Sequence, residues 1–343
     1  MATDEPLAPF LESRPEGLYC PAFEASIDPP LAARRAIVSH AHSDHAAPGH
    51  EEIWATPETI ALYRRRNPDW AGRSREIGYG ERFERQGVTL ELYPAGHVLG
   101  SAQIFFEGDG RSLLFTGDFK RRLSRTAVPA AAPPAEILAI ETTFGLPVFR
   151  FREREEIEGL LVAACRRAFE EEKTPILLAY GLGKSQEVAL ALADAGIPTV
   201  LHGAAWKLLP EFEAAGHSFP LSRAYETGPA KPGEALVMPP NCARTPVVRN
   251  VKRRRIVYLS GWATREASRA DFDADVLLPM SDHAGFPELL QHVSDVAPQR
   301  VVTLHGYARD FARILRTRGT PAEPLPSGTE RLAREESEQE AET

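Results

Sequence analysis

Val38-Ser39-His40-Ala41-His42-Ser43-Asp44-His45 closes the short apolar run that begins at Ala36. It places four strong metal ligands within six residues, in a chain with ten histidines in all. Neither packing nor solubility calls for three histidines and an aspartate at this spacing. A strand ending in a tight turn points His40 and His42 at one metal while Asp44 and His45 turn toward a second. Imidazole nitrogens with a carboxylate suit zinc first, with manganese and iron behind it.

Working outward, each further candidate ligand follows an apolar run, where an open α/β sheet places its site residues. His97 stands in Gly96-His97-Val98-Leu99-Gly100-Ser101-Ala102, whose glycines permit close backbone approach. Asp118 ends Leu113-Leu114-Phe115-Thr116-Gly117. A carboxylate there can form a cap or turn, but beside a histidine cluster a bridge between two metals is the better reading. Asp28, in Ser26-Ile27-Asp28-Pro29-Pro30, either orients a ligating histidine or starts a proline turn. Glu141 ends Ile137-Leu138-Ala139-Ile140, and His283 lies in Ser281-Asp282-His283-Ala284-Gly285. His305 ends Val301-Val302-Thr303-Leu304 and repeats the pattern of strand, then ligand.

The composition frames this chemistry. The chain of 343 residues, 43% hydrophobic and 26% charged, can bury a full core and has room for two domains. Cys20, Cys165 and Cys242 form no CxxC pair and argue against a disulfide scaffold. The first residues lack the pattern of a signal peptide and no segment is apolar enough to span a membrane, so a cytoplasmic location with no membrane partner is expected. Net charge is -8, and the segment after Thr320 contributes seven glutamates and two arginines to it. Basic runs stand out against the body: Arg64-Arg65-Arg66, Lys120-Arg121-Arg122 and Lys252-Arg253-Arg254-Arg255. Lys120, Arg121 and Arg122 directly follow Asp118 and are candidate phosphate contacts. Gly181-Leu182-Gly183-Lys184-Ser185 resembles a phosphate loop, yet Leu178 stands where that motif needs glycine. Lys184 is therefore either a phosphate contact at a helix start or an ordinary exposed lysine.

Apolar runs at 88–93, 102–106, 112–116, 136–140, 175–179, 255–260, 274–279 and 300–304 predict strands, several buried on both faces. Amphipathic stretches at 155–171, 185–195, 205–215, 286–296 and 307–318 predict the helices that cover them. The chain reads as a layered α/β protein. Pro129 to Pro134 predicts a linker or rigid turn, and the polar, acidic segment 321–343 predicts disorder.

On these motifs the chain resembles the metallo-β-lactamase-fold nucleases of the β-CASP group. Within that group it looks most like the bacterial ligase-associated DNA exonucleases, relatives of the RNA 3′-end processing nucleases. The resemblance implies a four-layer αβ/βα sandwich over residues 1–145 and 269–320, with an inserted α/β cap domain at 146–268. It implies two divalent metals, zinc or manganese. His40, His42 and His97 match the ligands of one, Asp44, His45 and His305 those of the other, and Asp118 is shared. Asp28 matches a structural aspartate, Glu141 an acidic residue supporting the ligand shell, and His283 a histidine near the leaving group. The implied activity is a DNA exonuclease in repair or end processing that uses a dinuclear metal-activated hydroxide, with catalytic roles for Asp44, Asp118 and His283. DNA is the implied partner, with a functional association with a DNA ligase. An RNA 3′-end processing ribonuclease is the alternative, and a small-molecule metallo-hydrolase the third.

Overall fold

Successive side chains of a strand point to opposite faces, and this decides how the layers of the chain stack. The structure, a computed structural model, describes residues 7–325. Its backbone divides into two units: residues 7–121, 127–148 and 283–325 form the first, residues 122–126 and 149–282 the second.

The first unit holds two sheets. One runs in chain order through Glu12–Arg14, Gly17–Cys20, Ala25–Ile27, Ala36–Ile37, Glu52–Ala55 and Arg73–Glu76. The other, read across the sheet, is Ala322–Pro324, Arg300–Leu304, Ile137–Glu141, Arg111–Phe115, Ala102–Gly108, Val88–Pro94 and Arg82–Arg85. Ile37 and Trp54 of the first sheet share a core with Leu90, Leu92, Ile104, Phe106, Leu113 and Phe115 of the second. The alternate residues of the second sheet, Phe105, Leu114, Leu138 and Ile140, face the other way. They pack on Leu289 and Val293 of helix Phe286–Val296 and on Phe311 and Leu315 of helix Ala308–Thr317. Likewise Ala36, Val38, Ile53 and Ala55 turn from the first sheet toward Ile60 and Tyr63 of helix Pro57–Arg66. The result is helix, sheet, sheet, helix: the expected αβ/βα sandwich. Each large side chain buried between layers contributes roughly 1.5–3 kcal/mol.

The second unit is built on one parallel sheet, ordered Ser222–Ala224, Thr199–Leu201, Ala235–Met238, Thr174–Leu178, Arg254–Leu259, Val276–Leu278. Ile176, Leu178, Val200, Leu236, Met238, Ile256 and Tyr258 form its core.

The structure departs from the sequence reading in four places. The stretch 205–215 is two short helices, Gly203–Trp206 and Leu209–Ala214, because Pro210 starts a new first turn. The second unit runs on to residue 282, beyond the expected 268, because Val276–Leu278 pairs in parallel with Val257–Leu259. Residues 129–134 lie outside regular structure but are fastened: Ala131 donates to the Pro94 carbonyl at 3.1 Å, and Gln103 Nε2 donates to the Ala131 carbonyl at 2.6 Å. Ala322–Pro324, read as the start of a disordered tail, is an edge strand beside Val301–Thr303, and Leu325 behind it is buried. The rest of that tail, 326–343, lies outside the described residues.

Candidate metal centre

The cluster forms because loops from both sheets of the first unit deliver side chains to one place. His40 to His45 follow the short strand Ala36–Ile37, and the peptide beyond it is held by an aspartate. Asp28, in the left-handed region at φ 42°, accepts the Ser39 N–H on Oδ1 and the Ser39 hydroxyl on Oδ2, both at 2.6 Å. Its Oδ2 also lies 2.9 Å from His45 Nδ1. Asp28 therefore braces the loop from behind.

Two ring orientations follow from this bracing. The Ser39 hydroxyl gives its one proton to the Asp28 carboxylate, so it accepts from His40 Nδ1 at 3.0 Å. That leaves His40 Nε2 with a bare lone pair facing inward. His45, tied through Nδ1 to Asp28, likewise turns Nε2 inward, 3.3 Å from Asp118 Oδ2 and 3.5 Å from Asp44.

His97 arrives from the loop after Val88–Pro94. Gly96 lies at φ 75°, and a Cβ there would stand 2.2 Å from the Lys120 carbonyl oxygen. Ser101 Oγ accepts from the backbone of His97 and Val98 at 3.1 and 3.2 Å. Thr56 and Thr59, at the start of helix Pro57–Arg66, donate to the Gly100 carbonyl at 2.6 and 3.0 Å. The loop is thereby clamped at both ends.

Asp118 follows Arg111–Phe115 across Gly117, whose φ is 53°; a Cβ at Gly117 would stand 2.7 Å from the Ser39 side chain. Glu141 closes the neighbouring parallel strand and is almost wholly buried. Its Oε2 accepts from Thr143 N at 2.9 Å, while Oε1 accepts from Phe119 N at 3.4 Å and lies 3.1 Å from His283 Nδ1. With Glu141 as acceptor, the His283 proton sits on Nδ1 and its Nε2 points away from Glu141. His283 Nδ1 also lies 3.9 Å from Asp118 Oδ2, and its ring meets Phe144 edge-on. His305 follows the next parallel strand, Arg300–Leu304, in the left-handed region at φ 55°; its carbonyl accepts from Thr142 Oγ1 at 2.7 Å. Its ring centroid lies 6.1 Å from that of His45.

These positions yield two groups of donor atoms mutually within 4.8 Å: His40, His42, His97 and Asp118, and Asp118, Glu141 and His283. Asp118 belongs to both. Asp44, His45 and His305 border Asp118 or one another, but they do not close a cluster as tight as these two. The donor set fits a divalent cation. His42 Nδ1 faces His40 Nε2 at 3.0 Å and His97 Nε2 at 3.1 Å, and its single proton can serve only one of them. A buried array of lone pairs around a carboxylate is the environment a cation stabilises. Burial and the neighbouring imidazoles hold His40 well below the usual histidine range, so it is neutral and ready to ligate. Burial opposes a charge on His45, yet Asp118 and Asp44 outweigh it and raise that imidazole well above its usual value. Burial likewise opposes charge on Asp118, and His45 with His283 overcomes it, keeping the carboxylate ionised far below its usual range. The site is a dinuclear divalent-metal centre in composition and charge, that of a metal-dependent hydrolytic enzyme.

The proposed phosphate contacts turn inward instead. Lys120 is 4% exposed. Arg121 pairs with Asp295 at 2.6 Å and reaches His292, while its backbone N–H donates to Glu288 at 3.0 Å. In the second unit, Arg122 donates to the Ser281 carbonyl and covers the Phe151 ring, and Lys184 is 2% exposed with its ammonium 2.8 Å from Asp282. Long-range partners, which leave no local pattern, claim Arg121, Arg122 and Lys184. Sequence reasoning missed Ser39 and also Arg66, whose guanidinium donates to the Ala41 carbonyl between two of the histidines. The arginine run at 64–66 was its only trace.

No family model matches the chain. A probable DNA ligase of Opitutus terrae is 39% identical over 311 residues, covering 89% of this chain and 30% of that protein. An RNase J-like protein of Methanocaldococcus jannaschii is 33% identical over 178 residues, 46% of this chain and 42% of that protein. The cleavage and polyadenylation specificity factor subunit 3 of Dictyostelium discoideum is 29% identical over 191 residues, 46% of this chain and 24% of that protein. The chain thus spans less than half the length of each of these relatives. A crystal structure of a protein of unknown function from Enterococcus faecalis aligns with a TM-score of 0.52 at 15% identity, over 78% of this chain and 74% of that one. That likeness is one of fold. Among the described residues no helix is long and apolar enough to cross a membrane.

Proposed function

We propose that this metallo-β-lactamase/β-CASP nuclease-like protein, related to the RNA-processing nucleases named above, hydrolyses phosphodiester bonds of a nucleic acid. The observation that carries this is Asp118: one buried carboxylate shared by two groups of histidine and acidic donors. His40, His42, His97 and Asp118 would hold one cation. Asp118 with Asp44, His45 and His305 would hold the second once those side chains close on it. When bound, such a pair supplies Lewis acidity toward the phosphoryl group and eases loss of a proton from the attacking water.

The chain's own groups do the rest. Asp44 stands beside His45 Nε2 and would orient the attacking water. His283, anchored through Nδ1 on the buried Glu141, would present Nε2–H in its protonated form to the departing sugar oxygen. Glu141, fixed by two backbone N–H groups, holds that ring in place.

RNA stands first as substrate, supported by the names of the relatives that are nucleases. Hydrolysis of DNA ends in concert with a ligase, the first expectation from sequence, is the second reading. It draws support from the probable DNA ligase that matches 89% of the chain. End-labelled single-stranded RNA and DNA of one sequence, incubated with protein loaded with zinc or manganese, separate the two. RNA cleavage that is lost in the Asp44→Ala/His45→Ala double variant is expected. Wild-type protein inert on both, or a double variant as active as wild type, defeats the proposal.

A further inference from the structure

Residues 64–75 hold five arginines against one aspartate, with Trp70 among them, in a chain of net charge -8. The structure folds this run into the last turn of helix Pro57–Arg66, a turn, and the edge strand Arg73–Glu76. With residues 48–51 it lines an open cleft of about 870 Å³, within the size range of small-molecule sites.

Four residues of the lining bear on what it holds. Arg66 borders the cavity and reaches the Ala41 carbonyl between His40 and His42, and the Asp44 carboxylate acts on it. It therefore joins cavity and metal loop. His50 is buried; its Nδ1 accepts from Ala33 N at 3.0 Å, so its proton is on Nε2, and that N–H has no partner. A buried donor left unmade is costly and uncommon. Trp70 is held rigidly: Nε1 donates to the His50 carbonyl at 2.6 Å, Tyr63 meets the indole edge-on, and Gly72 leaves the space a Cβ would take 2.5 Å from Nε1. Arg73 completes the lining with a side chain 79% exposed, 3.7 Å from Glu52.

We propose that this cavity is a nucleotide subsite, holding one nucleotide of a single strand whose neighbouring phosphodiester lies at the metal centre. Arg66 and Arg73 take the phosphate, and Trp70 takes the base. Glu51 and Asp69 also border the cavity. They oppose a bare oxyanion but can accept from sugar hydroxyls and base amino groups, so the mixed lining fits a nucleotide better than inorganic phosphate. Basic grooves with rigid aromatics bind single strands in this manner. The inference rests on the nuclease reading above.

Full-length, metal-loaded protein is titrated with fluorescent phosphorothioate U12 and dT12 strands, which resist cleavage, and anisotropy is followed across salt concentrations. Arg73→Ala, a surface change, is expected to weaken binding roughly three- to tenfold and to lower the salt slope by about 1. Arg66→Lys is expected to weaken it as well, and the surface control Arg313→Ala to match wild type. Inorganic phosphate should compete poorly. Wild-type affinity and slope in both Arg73→Ala and Arg66→Lys overturn the subsite. If the same wild-type protein cleaves ordinary strands in that case, the nuclease reading survives; if it neither binds nor cleaves, both fall.

Discussion

Replacing Lys184 by methionine separates two roles for that lysine. Its ammonium lies 2.8 Å from Asp282 Oδ1 and donates to the Met280 carbonyl at 2.6 Å, with side-chain exposures of 2% and 9% for the two ion-pair partners. At an effective dielectric of about 20, two charges this far apart attract by roughly 6 kcal/mol. Desolvation offsets part of that, and removing one partner of a buried pair costs roughly 3–5 kcal/mol, because the other charge is left without its compensation. Methionine keeps most of the packing, so the loss falls on Asp282 and the Met280 carbonyl. For a unit of this size the melting temperature should fall by roughly 10 °C. Urea unfolding, with hydrogen exchange read on strands Thr174–Leu178 and Arg254–Leu259, measures the second unit alone. Adding Asp282→Leu should recover part of the loss, giving a coupling of about 2–4 kcal/mol. A phosphate contact predicts the reverse: stability within about 0.5 kcal/mol of wild type and weaker substrate binding. That result would refute the structural role.

Two further outcomes are expected. Gly117→Ala puts a methyl 2.7 Å from Ser39, a side chain held by Asp28 and His40, in a left-handed backbone. The strain of roughly 1–2 kcal/mol and the clash should lower both stability and bound metal per chain; full metal content by elemental analysis contradicts it. His292 faces Arg121, with Asp295 beside it, and burial with the arginine pushes its imidazole down to about 3. The folded state therefore binds this proton less readily than the unfolded chain, whose value is about 6.5. Stability from His292 is complete above that value and drains as pH falls toward the folded one. At pH 5 wild type should have lost roughly 2 kcal/mol relative to pH 7 that His292→Leu keeps. Equal pH dependence in wild type and variant counts against this account.

What the sequence discloses depends on length and on locality. Ala102–Gly108, Ile137–Glu141 and Arg300–Leu304 are legible because they are buried runs of five to seven residues. Most of the first sheet escapes notice: Ala36–Ile37 has two residues, and Arg73–Glu76 reads Arg-Ser-Arg-Glu, polar because it lies on an edge. The ligand residues stand out since each ends an apolar run. Their wiring does not. Nothing near Arg121 announces Asp295, and nothing near Ser39 says that its hydroxyl selects the tautomer of His40. The run Lys120-Arg121-Arg122 looks exposed in one dimension because Asp295 and the Ser281 carbonyl, which answer Arg121 and Arg122, lie far along the chain.

The strand Ile137–Glu141 lies between Arg111–Phe115, its near neighbour in sequence, and Arg300–Leu304, which follows the whole second unit. On a ribosome adding about 5–20 residues per second, the second partner emerges roughly ten to forty seconds after the first. Throughout that interval an apolar edge stands open to pairing with any other chain. His283 and His305 have yet to emerge, so the donor group of Asp118, Glu141 and His283 is incomplete and the proposed second cation lacks a ligand. The insertion thus acts as a timer on the birth of the molecule, its length in residues setting how long that edge waits for its partner.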